Sequence, residues 1–359
     1  MTTVARMIPH SRPSIEYSDI HAATEVLRSG RLAQGPLVER FERRLAADIG
    51  LAGGVAVNSG TSALEVALRV LDIGLGDEVI LPSYVCAAPW LAVQRVGATA
   101  RLVDIEPETY NIDPDAARRA LNPTTRAIIV PHLFGLPADL TALEPLGVPL
   151  IEDCAQTLRA LEQGRPVGSV GRLTVCSFYA TKLLCTGEGG MVLSRDEALL
   201  DQARALREYD EGAALTPAST NVKMTDLQAA IGLAQLDRLP SSLERRLELA
   251  RNYTAAVKGT DLRPPVVPAG RSHVYSRFVV RVSGLRHEPD ALNDVMARFE
   301  RSGLHCRKPV FRSLHRYLGL HGFPAADEAE RTALSIPLYP GLNDDEVAQV
   351  LALLRGARA

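Results

Sequence analysis

Residues 173–194 read LTVCSFYATKLLCTGEGGMVLS, two β-branched runs (173–178 and 190–194) joined by a glycine-rich connection that carries one lysine, Lys182. Runs of this composition form strands. Lys182 lies among Tyr179, Leu183 and Leu184. A lysine in apolar surroundings loses part of its preference for the ammonium form, which frees the amine to act as a nucleophile in a Schiff base. Most isolated lysines face solvent, but the crowding of Gly187, Glu188, Gly189 and Gly190 just behind this one fits that default poorly.

Working outward, similar runs recur at 54–59, 77–82, 99–105, 125–131 and 148–153. Between most of them lie stretches of helical period, such as SALEVALRVLDIG, AAPWLAVQRVG and DLTALEPLG, each closing near a glycine suited to a C-cap. Strand, helix, strand at this spacing predicts parallel crossovers, and so an α/β fold with a large, mostly parallel mixed sheet covered by helices on both faces. An amphipathic stretch then runs from Thr225 to Lys258, with a kink or break expected at Pro240. RPPVVPAG, residues 263–270, reads as a linker. Beyond it come a strand (SRFVVRVSG), a helix (PDALNDVMARFERSG), a basic and aromatic loop (HCRKPVFRSLHRYLG) and a last helix (DDEVAQVLALLR), enough for a small α/β domain. The expected division is a large domain over residues 1–258, including the N-terminal segment and the long closing helices, and a small C-terminal domain over 259–359.

The chain has 359 residues, and 40 Lys and Arg stand against 42 Asp and Glu, a formal charge of −2. So balanced a charge argues against an electrostatic nucleic-acid or membrane-surface binder. The five cysteines, Cys86, Cys154, Cys176, Cys185 and Cys306, are odd in number and show no C-x-x-C pairing, so neither a disulfide framework nor a metal site is indicated. With no signal-peptide core near the N-terminus and no apolar run long enough to span a bilayer, the expected location is the cytoplasm.

Common nucleotide and hydrolase signatures are absent, which leaves polar residues at the ends of predicted strands, where open α/β sheets bind ligands. NSGTSA (58–63) joins a strand to a helix that starts near Thr61. Its small residues let backbone approach a ligand, and the hydroxyls of Thr61 and Ser62 beside free N–H groups suit a phosphate, although the same run also serves as a plain N-cap. IEDCAQ (151–156) delivers Glu152 and Asp153 to opposite sides of a strand end. A carboxylate there needs a cationic or hydrogen-bond partner: an ordinary ion pair, or the protonated ring nitrogen of pyridoxal phosphate. Ser177, five positions before Lys182, can reach a cofactor phosphate. The order of phosphate turn, strand-end aspartate and a lysine 29 positions after it is what a fold-type I pyridoxal phosphate enzyme requires.

Taken together, these segments resemble the DegT/StrS family of sugar aminotransferases, and the resemblance runs from MIPHSRPSI near the N-terminus, through IEDCAQ, SFYATKLLCTGEGGMV and NVKMTDLQAAIGLAQLDRL, to ALSIPLYPGLNDDEV. It implies that Lys182 forms the Schiff base with pyridoxal 5′-phosphate and that Asp153 pairs with the pyridine nitrogen. Gln156 would lie near the ring hydroxyl, and Gly60, Thr61, Ser62 and Ser177 would hold the phosphate. Asn221 would reach the phosphate of a neighbouring subunit, which implies a homodimer with shared sites. Four segments depart from the family pattern. Cys86 stands where a ring-stacking aromatic is usual, which leaves the stacking lost, supplied by Tyr84 or Trp90, or replaced by a thiol contact. Leu158 and Arg159 replace a histidine and a glycine, Leu136 replaces a polar residue, and Lys223 replaces an arginine.

RKPVFRSLH (307–315) resembles the loop of members that aminate C4 of nucleotide-linked keto sugars, so Lys308, Arg312 and His315 are candidates to face a diphosphate; a solvated basic turn is the alternative. The implied reaction is a ping-pong transamination from an amino acid, by analogy L-glutamate, to a 4-keto-6-deoxy sugar, in nucleotide-sugar, polysaccharide or antibiotic biosynthesis. The rival readings are a cyclitol or other natural-product ketone as acceptor, sugar dehydration, or a regulatory protein that keeps the fold. His132, at a strand end, is expected to orient a neighbour rather than to transfer protons.

Overall fold

The computed structural model describes residues 7–209, 218–285 and 290–357. Its strands in chain order are β1 (Gly53–Val57), β2 (Glu78–Pro82), β3 (Thr99–Val103), β4 (Thr125–Pro131), β5 (Leu150–Asp153), β6 (Leu161–Glu162), β7 (Arg165–Pro166), β8 (Leu173–Ser177), β9 (Gly190–Ser194), β10 (Leu262–Arg263), β11 (Phe278–Val282) and β12 (Ala333–Ile336). Seven form one sheet in the order β1-β9-β8-β5-β4-β2-β3. They are the seven runs read from the sequence. β3, β2, β4, β5 and β8 pair in parallel, and β9 is antiparallel to both β8 and β1. This mixed, mostly parallel sheet is the fold class expected.

Successive residues of these strands feed opposite cores, as pleating requires. Val55, Val57, Ala127, Ile129, Leu173 and Val175 pack in one core with the helix Gly60–Val70. Ala56 and Cys176 face a second, and Ile128 and Val130 a third. Burying a side chain such as Ile129 completely is worth about 1.5–3 kcal/mol.

A smaller antiparallel sheet, β10-β11-β12, carries its own core, in which Phe278, Val280, Leu334 and Ile336 meet the helices Ala291–Arg301 and Asp344–Arg355. Ile8 from the N-terminal segment joins this core, as do Leu249, Ala250 and Tyr253 from the helix Asp226–Ala256. Ile8 bonds through its backbone to Gly303 and His305, so the N-terminal segment is bound to the chain that follows the helix Ala291–Arg301.

Several local expectations are corrected. The helix Asp226–Ala256 runs unbroken through Pro240. Proline removes one backbone bond, but Leu233, Leu236, Leu239 and Leu243 bury one face of the helix on both sides of it. The helix Gly60–Val70 ends not at a glycine but at Leu71, followed by Asp72 in the left-handed region at φ 55°. The 263–270 segment is not a free tether, because the Gly270 carbonyl accepts from Gln163 N at 2.7 Å. The C-terminal part also holds a helix, Pro324–Thr332, that leads into β12 and was not anticipated, and the basic loop contains a short helix, Leu314–Tyr317. Among the described residues no helix is long and apolar enough to cross a membrane.

Candidate active site

The phosphate turn forms where β1 passes into the helix Gly60–Val70. Ser59 caps it, its hydroxyl accepting from Ser62 N at 3.1 Å, and the Ser62 hydroxyl donates to Asn58 at 2.7 Å. That bonding leaves the N–H groups of Gly60 and Thr61 and the hydroxyls of Thr61 and Ser177 without hydrogen bonds among the described residues. An anion suits such a cluster of free donors at a helix N-terminus. Gly60 keeps the cradle open, since a Cβ there would lie 2.7 Å from Ser177 Cβ. Gly190 lets β9 pack backbone to backbone against the cap, since a Cβ there would lie 2.3 Å from the Ser59 carbonyl oxygen.

At the end of β5 the two carboxylates point to opposite sides, as strand alternation predicts. Glu152 is fully buried and accepts four bonds, from Gly168 N, Val170 N, Gly171 N and His132 Nε2. Burial alone would push its carboxyl up, but His132 and those backbone donors outweigh this and hold it below the usual range. His132 Nδ1 accepts from Ala138 N, so Nε2 carries the proton and both ring nitrogens are committed. His132 therefore positions its neighbours. His132, Glu152 and Cys154 bring ligand atoms within 4.8 Å of one another, yet every nitrogen and oxygen in that group already has a partner.

Asp153 is different. Its Oδ1 accepts from Ala155 N at 3.0 Å, and among the described residues its Oδ2 has no hydrogen bond. Burial pushes this carboxyl up, and the Ala155 N–H and the charge of Lys182 only partly offset that. A buried carboxylate with one unused oxygen fits a protonated ring nitrogen.

Lys182 sits in the connection from β8 to β9, where its own N–H donates to the Tyr179 carbonyl at 2.9 Å. Burial lowers its ammonium group, Cys86 and Asp153 pull it back up, and Arg277 pushes it down again. Cys86 is exposed, whereas the other four cysteines are buried. Tyr84 is completely buried, 5.9 Å from the ring of Tyr110, and Trp90 packs partly buried against the first core, so neither takes the stacking place beside Cys86. Gln156 Oε1 accepts from Phe134 N at 3.1 Å. Asn221 is exposed, and the next residue, Val222, accepts from Asn58 N, which sets this segment beside the phosphate turn.

Lys182 also lines a cleft of about 920 Å³, together with Arg277, Arg307, Lys308 and Arg312. Among the described residues none of these four has a carboxylate partner. His315 does not join them. It is buried, its ring nitrogens bonded to Ser83 Oγ and Asp327 Oδ1, and it stacks on Phe323 at 4.8 Å. Sequence reasoning passed over Arg277, and nothing in the local pattern SRFVVRV marks it.

The comparisons with known proteins agree with this geometry. Residues 13–355 match the DegT/DnrJ/EryC1/StrS aminotransferase family. The chain belongs to that family. It is 35% identical to the spore coat polysaccharide biosynthesis protein SpsC of Bacillus subtilis, over 97% of this chain and 96% of that one. It is 36% identical to the erythromycin biosynthesis sensory transduction protein EryC1 of Saccharopolyspora erythraea, over 94% and 95%. Its fold matches the PMP form of Spr1654 from Streptococcus pneumoniae, a solved putative sugar aminotransferase, with a TM-score of 0.91 at 28% identity, covering 98% of this chain and 97% of that one. This aminotransferase is therefore a fold-type I enzyme that depends on pyridoxal phosphate. The open cradle at Gly60 and the unused oxygen of Asp153 fit that cofactor.

Proposed function

We propose that the enzyme transfers an amino group from L-glutamate to a keto sugar carried on a nucleotide, a 4-keto-6-deoxy sugar, in two half-reactions that share one site. The observation that carries this reading is the set Arg307, Lys308 and Arg312, which shares a cleft with Lys182 and has no carboxylate partner among the described residues. A diphosphate is the anion that several such cations suit. The names of SpsC and EryC1, which place those proteins in polysaccharide and antibiotic biosynthesis, point the same way.

When bound, pyridoxal phosphate supplies an electron sink for charge at the donor α-carbon. In the proposed mechanism Lys182, its amine favoured by burial, attaches the cofactor and, once displaced by the donor, carries the proton away from the α-carbon. Asp153 keeps a proton on the ring nitrogen. Gly60, Thr61, Ser62 and Ser177 hold the phosphate, Gln156 lies near the ring hydroxyl, and Cys86 lies against the ring. Lys308 and Arg312 hold the acceptor's phosphates with Arg307, a task from which burial removes His315.

The same reading makes the enzyme a cytoplasmic homodimer, with Asn221 serving the neighbouring site. Five free cysteines suit a reducing compartment, and the exposed Tyr17, Ile20 and Leu27 on the helix Tyr17–Ser29 suit a covered face. The division at residue 258 rests on the core of the small antiparallel sheet, most of whose residues lie beyond the long helix, with Ile8 and the end of that helix also entering it.

The decisive experiment supplies the amino form of the holoenzyme with ketones and watches the cofactor absorbance return. Nucleotide-linked 4-keto-6-deoxy sugars should restore it. Return with a free cyclitol ketone alone overturns the acceptor, and full transamination by Lys182→Ala overturns the mechanism.

A further inference from the structure

We propose that Arg277 is the binding residue for the α-carboxylate of the amino donor. The inference rests on the transamination reading and adds to it the group that recognises the donor.

The argument begins with how the side chain is held. Residues 133–136 and 274–277 pack back to back, joined by bonds from Val274 N to the Gly135 carbonyl and from Arg277 N to the Phe134 carbonyl. Both turns are strained, with Phe134 at φ 61° and Tyr275 at φ 47°. Left-handed aromatic residues are uncommon and persist only where the surroundings over-determine them. Here the surroundings do. Phe134 N donates to Gln156, Tyr275 N donates to His273 Nδ1, and the Tyr275 ring stacks on His273 at 3.9 Å. A Cβ on Gly135 would lie 2.7 Å from Ser276 N, so the approach of the two turns leaves no slack. The backbone that carries Arg277 is thus fixed to the end of β4, and through Gln156 to the cofactor side of the site.

The guanidinium is then used on one edge only. Its Nη1 donates to the Pro309 carbonyl at 3.0 Å, and among the described residues Nε and Nη2 have no partner. Arginine presents this Nε and Nη2 edge as a two-pronged fork that matches a carboxylate. The group is largely desolvated, and burial lowers it from its ordinary value. A desolvated cation without an acid beside it calls for an anionic ligand.

Two anions enter this reaction, and chemistry separates them. In an amino acid donor the carboxylate is one carbon from the nitrogen that displaces Lys182, so its receptor must lie close to Lys182. Arg277 lines the same cleft as Lys182, with its Nε and Nη2 edge unused. In a 4-keto sugar the phosphates hang from C1, across the ring from the carbon that receives the amine. They need cations nearer to solvent, and in the same cleft Arg307 and Arg312 are exposed where Arg277 is half-buried.

The test compares wild-type holoenzyme with Arg277→Gln and Arg277→Lys. L-2-methylglutamate, which has no α-proton to lose, is titrated in and its binding read as a shift of the cofactor band. Half-reaction rates are then taken with L-glutamate and with 4-aminobutanoate, which lacks the α-carboxylate. Arg277→Gln should weaken L-2-methylglutamate about 10- to 100-fold and slow L-glutamate to a similar extent, leave 4-aminobutanoate unchanged, and be partly rescued in Arg277→Lys. Equal losses with both amines, or no loss with either, overturn the assignment. If the wild type responds to another amino acid and not to glutamate, the donor reading fails instead, and the same comparison is run with that amino acid and its decarboxylated amine.

Discussion

Replacing Glu152 with glutamine keeps shape and volume but turns one acceptor oxygen into a donor NH2. In the structure Oε1 accepts from Val170 N at 2.8 Å and from Gly171 N at 2.6 Å, while Oε2 accepts from Gly168 N at 2.7 Å and from His132 Nε2 at 3.0 Å. Whichever way the amide turns, two donors face an NH2 group. His132 cannot relieve the clash by moving its proton, because Nδ1 already accepts from Ala138 N. An unmet buried donor costs about 1–3 kcal/mol, so two cost about 2–6 kcal/mol, less the relief of no longer burying a charge. A net loss of about 3 kcal/mol corresponds to a fall in melting temperature of about 4 °C for a chain of 359 residues. The assay is urea and thermal unfolding of Glu152→Gln beside wild type, across pH. Because the native carboxyl is held below its ordinary value, its contribution should be complete above about pH 4.3, the unfolded value, and fade as pH falls through the folded one. The gap between the proteins should therefore hold steady from neutral pH to about 4.3 and narrow below it. A gap under about 0.5 kcal/mol at pH 7 would refute the reasoning, since a bond network that matters cannot lose two acceptors so cheaply.

Three further outcomes are expected. Gly60→Ala, whose new Cβ would meet Ser177 Cβ at 2.7 Å, should weaken cofactor binding about tenfold or more and also lower the cofactor-free melting temperature, as followed by absorbance titration and calorimetry. Asp153→Asn should act with opposite signs. The cofactor-free protein gains stability at neutral pH, because burial raises the native carboxyl and ionising it in the fold is unfavourable, whereas the half-reaction slows about 100-fold in stopped-flow absorbance. His10 and His273 are both lowered by burial from 6.5 to about 3, so they fold neutral and favour unfolding as they take up protons. The urea midpoint should fall steadily as pH drops from 6.5 to 5, a window in which ordinary carboxylates are silent; a flat midpoint there contradicts it.

Much of the site was legible because its parts are local. The run from Asn58 to Ala63 forms a strand, a cap and a helix start within a few residues, and small side chains there announce close approach. Strand alternation alone placed Glu152 and Asp153 on opposite sides. The glycines behind Lys182 marked a turn that must pack tightly, and Gly190 does so against Ser59. What failed to show depends on distant partners. His315 reads like its basic neighbours, yet Ser83, 232 residues earlier, buries its ring nitrogen. Pro240 carries the signal of a broken helix, and only the leucines packed on both sides of it keep the helix whole.

The sequence by itself determined the seven-stranded sheet, the fold class and the order of the candidate cofactor segments, because each rests on periodicity or on contacts between near neighbours along the chain. Only the tertiary structure decided which cations face Lys182. Arg277 reaches it from the start of the small sheet, through two strained turns that hold each other in place, and Lys308 and Arg312 follow while His315 turns inward. The reason is physical: a charge gains or loses its partner according to what the fold brings beside it, and that is set by contacts between residues far apart in the chain.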